Sequence, residues 1–137
     1  MMRAVALAVV VWCGAAVAQE GVMPEEITAE WLTAAMQRNE FAAEAMLGQG
    51  REFRFTGVPE TITRGPEGIP RLRYKAAFPT VYVEARMARG MEAAAARIVP
   101  GELVTLVCNG GGPPKGMAYP FVSGCRPDRP SQPPAAR

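Results

Sequence analysis

Arg71, Arg73 and Lys75 alternate with Leu72, Tyr74 and Ala76. A period of two places the cations on one side of an extended strand and the apolar side chains on the other. Such a row suits phosphate, carboxylate or sulfated sugar, which guanidinium groups hold by paired hydrogen bonds. Arg54 and Arg86, on two other alternating stretches, extend the stripe. Tyr82 shares its strand face with Glu84 and Arg86 and offers a ring for stacking against a base or sugar. Arg54, Arg71, Arg73, Lys75, Tyr82 and Arg86 are therefore the candidate ligand-binding residues. The same pattern also describes a solvated outer face, its charges paired across strands with Glu52, Glu84 and other neighbours.

Catalytic chemistry has little to build on. The chain has no histidine, which excludes histidine-based triads, imidazole acid–base catalysis and histidine metal sites. Asp128 stands in a polar tail, and Glu84 and Glu102 have no partner or cofactor motif in the sequence. No catalytic residue, metal site or cofactor is expected. The run Asn109–Gly116 has the glycines of a phosphate loop but lacks its Gly-Lys-Ser/Thr ending. Prolines stand where amide donors would be needed, so the run reads as a connection between strands.

The opening residues carry an export signal. Met1–Arg3 is a basic start, Ala4–Trp12 an apolar run, and Ala16-Val17-Ala18 a small-residue cleavage site. Residues 1–18 are expected to be removed, releasing a chain that begins at Gln19 in the periplasm or outside the cell. The apolar run is too short to span a membrane. Trp12 is a poor residue to precede a lipidated Cys13. Cleavage after Ala18 leaves Cys108 and Cys125, an even pair in an exported chain, and the expectation is a disulfide. The formal charge of the whole chain is only +2, which argues against bulk nucleic acid as the partner.

The elements that must position these residues follow from periodicity. Residues 19–26 form a polar lead-in, and residues 28–47 read as one amphipathic helix capped by Thr28, with Trp31, Leu32, Ala35, Ala42, Met46 and Leu47 as its apolar stripe. Alternation then predicts strands at 52–56, with Phe53 and Phe55 inward, at 71–76 and at 81–87. An alanine-rich helix over 91–97 follows. A fourth strand at 102–108 is apolar on both faces and is expected to be the most buried; a fifth spans about 119–125. Residues 126–137 form a tail too polar to order itself. One domain over 27–125 results.

Five strands, with a helix between the third and fourth, match the element order of an OB-fold barrel, here preceded by the N-terminal helix. The run Trp31-Leu32…Asn39-Glu40…Ala42…Leu47-Gly48…Phe53…Thr56-Gly57 resembles the opening of the exported bacterial tRNA-anti-like OB-fold family. Pro100-Gly101-Glu102-Leu103-Val104-Thr105-Leu106-Val107-Cys108, with the closing Gly124-Cys125, resembles its later part. The resemblance implies the fold and an envelope location, and brings no catalytic residues. The expected function is a non-catalytic, monomeric binding module of the cell envelope taking a small anion, a glycan or a protein. A structural or protein-interaction domain is the first alternative and a nucleic-acid binder the second.

Overall fold

The computed structural model describes residues 23–76, 82–113 and 119–128. The expected leader, residues 1–18, and the expected tail beyond residue 128 lie outside them. The protein is mostly β with a few short helices: β1 (Glu26–Ile27), α1 (Ala29–Arg38), α2 (Glu40–Leu47), β2 (Phe53–Gly57), β3 (Thr61–Arg64), β4 (Pro70–Lys75), β5 (Tyr82–Met87), α3 (Glu92–Ala95), β6 (Val104–Cys108), β7 (Gly110–Gly112) and β8 (Phe121–Pro127).

The single N-terminal helix of the sequence reading is two helices. Thr28 caps α1 as expected, its hydroxyl accepting from the Trp31 N–H. Asn39 is extended, at φ −161° and ψ 96°, and its side-chain oxygen accepts from the Ala42 N–H to start α2. An asparagine that satisfies an orphan amide competes with continuing the helix through the same position. The break turns Ala43 and Leu47 inward while Ala42 is exposed. The two helices bury Leu32, Ala35, Ala43 and Leu47.

Among the described residues the sheet has eight strands, where five were expected. Seven run in the order β1-β2-β6-β8-β5-β4-β3, and β7 pairs with β8. The additional strands are short, and β7 is all glycine, without a side-chain pattern to announce it. The pairings are antiparallel except β1 with β2 and β5 with β8, which are parallel. Strand β8 continues past Cys125, where the sequence reading began the tail. Arg126 pairs with Val107 and Pro127 with Leu106, and the Asp128 N–H donates to Thr105.

The core lies where inward residues of β2, β4, β5, β6 and β8 meet. Phe55, Leu72, Val83, Ala85, Leu106 and Val122 are fully buried. The fourth predicted strand is not the most buried, because the outward face of β6 is only half covered at Thr105 and Val107, and Leu103 ahead of it is 70% exposed. That place belongs to β5, which is buried at Val83, Glu84, Ala85 and Met87. Strands β2 and β3 are successive in the chain yet stand near opposite ends of the sheet order, so the residues between them carry the chain across. At this crossing Gly57 lies against Tyr74 of β4: a Cβ there would sit 3.0 Å from the ring. Cys108 and Cys125 are bonded, with Cα atoms 4.1 Å apart, tying β6 to β8.

Candidate functional site

Strands β4 and β5 present the predicted stripe as a ladder. Arg71 lies opposite Arg86, Arg73 opposite Glu84, and Lys75 opposite Tyr82. Leu72 and Tyr74 face the core, so the alternation sorts as the sequence implies. Beside the ladder, the parallel register of β8 sets Phe121 next to Glu84.

Glu84 is the centre of this face. Its carboxylate is buried, 3.6 Å from Arg71 Nη1 and 3.9 Å from Arg86 Nη2. Both distances are ion pairs, and both exceed the roughly 2.7–2.9 Å of a charge-assisted hydrogen bond. The consequence is visible in the orphans: Glu84 Oε2 and Arg86 Nε are buried and make no hydrogen bond. Burial, followed by the charge of Arg71, pushes the proton affinity of Arg86 below its ordinary value, and Glu84 and Glu67 oppose the shift. The cations of this face are thus only partly compensated.

Aromatic rings are interleaved with the charges. Arg73 stands over the Tyr82 ring at 5.0 Å, and Arg86 over Phe121 at 3.9 Å. Tyr82 in turn meets Tyr119 edge to face, with centroids 5.9 Å apart. Stacked guanidiniums keep their N–H edges free for a ligand. Lys75 is exposed and has no ion-pair partner among the described residues. Sequence reasoning missed Phe121 and Tyr119, because strand alternation says which face a residue takes but not which strand lies beside it.

Arg54 does not belong to this face. In the sheet order β6, β8 and β5 separate its strand from β4. It pairs instead with Asp128 at 3.1 Å, beside a second pair, Arg126–Glu52, at 2.7 Å. These four residues, with Glu25 and Val107, line an open groove of about 730 Å³, in which two ion pairs leave the carboxylate of Glu25 in excess. The expected pairing of the stripe with Glu52 is likewise replaced: Glu52 serves Arg126, and among the described residues Glu84 is the carboxylate paired with Arg71 and Arg86.

Fold and site together define a β-rich domain with one basic, aromatic-lined sheet face. No family model and no curated protein matches the chain. Among solved structures it is similar to a "putative nucleic acid-binding lipoprotein" from Klebsiella pneumoniae subsp. pneumoniae MGH 78578, with a TM-score of 0.58 and 15% identity. The match covers 83% of this chain and 96% of that one. The likeness is one of fold.

Proposed function

We propose that the chain is a non-catalytic, exported binding module of the bacterial cell envelope whose β4–β5 face takes an anionic ligand. The observation that carries the reading is the charge imbalance of that face: Arg71, Arg73, Lys75 and Arg86 are arrayed around one carboxylate, Glu84. A disulfide in the core fits an oxidising compartment. Among the described residues no helix is long and apolar enough to cross a membrane.

The domain is read as an OB-type barrel in which β2 and β3 are two halves of one bent strand. Support comes from the parallel β5–β8 pairing, the helix between β5 and β6, and the approach of Gly57 to Tyr74 at the crossing. In that reading β4 and β5 are the second and third barrel strands, the surface on which OB domains take their ligands.

Single-stranded nucleic acid is the second reading. It is favoured by Tyr82, Tyr119 and Phe121 beside the cations, since stacked rings and a basic groove are what such strands bind. The similar Klebsiella protein, described as nucleic acid-binding, favours the same reading. Fluorescence anisotropy with oligothymidylate and with a heparin oligosaccharide tests both readings. Binding of either should weaken at least tenfold on replacing Arg73 and Lys75 together by Ala. For a single strand held by three or four cations, log K should fall against log salt with a slope of about −2 to −3. No binding of either polyanion at low salt overturns the proposal.

A further inference from the structure

At the Arg71 end of this face, beside the turn after β3, lies a cavity of about 270 Å³. Arg71, Arg86, Arg89, Glu67 and Ser123 line it, with the backbone of Gly65 and Gly124. We infer that this cavity seats a single phosphoryl group, so that the ligand of the β4–β5 face is a phosphomonoester or carries a terminal phosphate. The inference rests on the anion-binding reading of that face and narrows it to one chemistry.

Size is the first argument. At about 270 Å³ the cavity lies just under the roughly 300–1,000 Å³ of ordinary small-molecule sites, which leaves room for a phosphoryl group, its waters and part of the group that carries it. Charge is the second. Arg71 and Arg86 face one another across the β4–β5 ladder, and like charges directly opposite repel. Glu84 answers both from 3.6 and 3.9 Å without a hydrogen bond to either, and the Arg86 Nε donor is buried without an acceptor. A phosphoryl group in the cavity that Arg71, Arg86 and Arg89 line, against the single carboxylate of Glu67, supplies these arginines with acceptor oxygens that Glu84 does not.

Placement is the third argument. The turn at Gly65 is closed by its N–H to Ile69 and by the Gly68 N–H back to Gly65, and it lies directly on Arg71. A Cβ on Gly65 would run into Arg71 Nε. Arg86 is held from the other side by the ring of Phe121 at 3.9 Å. Both guanidiniums are therefore fixed before a ligand arrives, which lowers the cost of ordering them on binding.

The test compares oligothymidylates of one length bearing a 5′-phosphate or a 5′-hydroxyl, together with inorganic phosphate and vesicles containing phosphatidic acid. The phosphorylated strand should bind at least tenfold more tightly than the hydroxyl strand, and inorganic phosphate should compete with that difference. Preferential binding of the vesicles would place the same phosphoryl group on a lipid. Arg71→Gln should abolish the preference, Gly65→Ala should reduce it by displacing Arg71, and Arg97→Gln, outside both surfaces, should leave it unchanged. Circular dichroism of each variant separates loss of binding from loss of fold. Equal binding of the two strands, undisturbed by Arg71→Gln but lost with Lys75→Ala, overturns the cavity assignment and leaves the face reading standing. Failure of every anion to bind overturns both.

Discussion

The rings of Phe55 and Tyr74 meet edge to face, with centroids 4.9 Å apart and planes at 83°. Their strands, β2 and β4, are separated in the sheet order by β6, β8 and β5. The contact therefore spans the interior of a strongly curved sheet, and it is sealed by the close approach of Gly57 to the same tyrosine. Curvature of this kind gives the sheet an inner face, where the core sits, and an outer face, where the β4 cations stand.

Tyr74 is held in that core at a cost. Its hydroxyl is buried and has no hydrogen-bond partner, a situation that destabilises by roughly 1–3 kcal/mol. Tyr74→Phe keeps the ring contact and removes the orphan group. Urea denaturation should give a variant at least as stable as the parent, by up to about 1–2 kcal/mol; a clear loss would mean that the hydroxyl has a partner.

The same residue sets an alkaline limit. Burial pushes the Tyr74 phenol well above its ordinary value of 10.0, so the folded state holds its proton more tightly than the unfolded chain does. That contribution is complete below about pH 10, the unfolded value, and is lost as pH rises beyond it. Stability should fall between about pH 10 and 12, and Tyr74→Phe should flatten part of that fall. Melting curves across this range, compared between the two proteins, are the measurement.

Alternation of Arg71-Leu72-Arg73-Tyr74-Lys75 made the outer face of β4 legible, because a strand with a buried side must sort its residues this way. Arg54 obeys the same rule on β2, exposed between Phe53 and Phe55. Its assignment to the stripe failed because alternation carries no information about neighbouring strands, which hydrogen bonding between distant segments decides. Asn39 was hidden for a related reason: apolar residues recur at helical spacing on both sides of it, and only its capping chemistry betrays the break. Strands β3 and β7 are recruited by β4 and β8, and tertiary pairing outweighs their own weak patterns.

Asn39 offers a direct check on that local chemistry. Its side chain satisfies the Ala42 amide and both helices end on it. Asn39→Ala should cost about 1 kcal/mol, within the roughly 0.5–2 kcal/mol of lost N-caps. Asn39→Asp should retain the cap, and the dipole of α2 favours its charge. Denaturant midpoints of the two variants should differ in that order.

Cys108 and Cys125 are fully buried and join adjacent antiparallel strands across a sequence separation of 17. Closing a loop of that length restricts the unfolded chain by about 3 kcal/mol. Replacing both by Ala should lower stability by about 2–4 kcal/mol, and hydrogen exchange should speed first in β7 and in the adjoining part of β8. Unchanged stability would mean that the pairing of β6 with β8 is secured by its backbone and core contacts alone.

Glu84 links stability to binding with opposite signs. It is the one described carboxylate in ion-pair contact with Arg71 and Arg86, which lie opposite one another and are each about a quarter exposed. Glu84→Gln preserves shape while leaving that cationic pair facing itself. A fully buried pair broken in this way costs roughly 3–5 kcal/mol; partial exposure of the arginines screens the effect, and about 1–3 kcal/mol is expected here. The same substitution raises the positive potential of the face by one unit charge. At a separation of about 4 Å a unit charge is worth about 1 kcal/mol in bulk water and about 4 kcal/mol near a protein surface, so anion binding should tighten by at least about fivefold. A lower melting temperature accompanied by stronger phosphate or oligothymidylate binding is the expected outcome. Weaker binding on loss of the carboxylate would mean that Glu84 acts by positioning the arginines rather than by competing with the ligand for them.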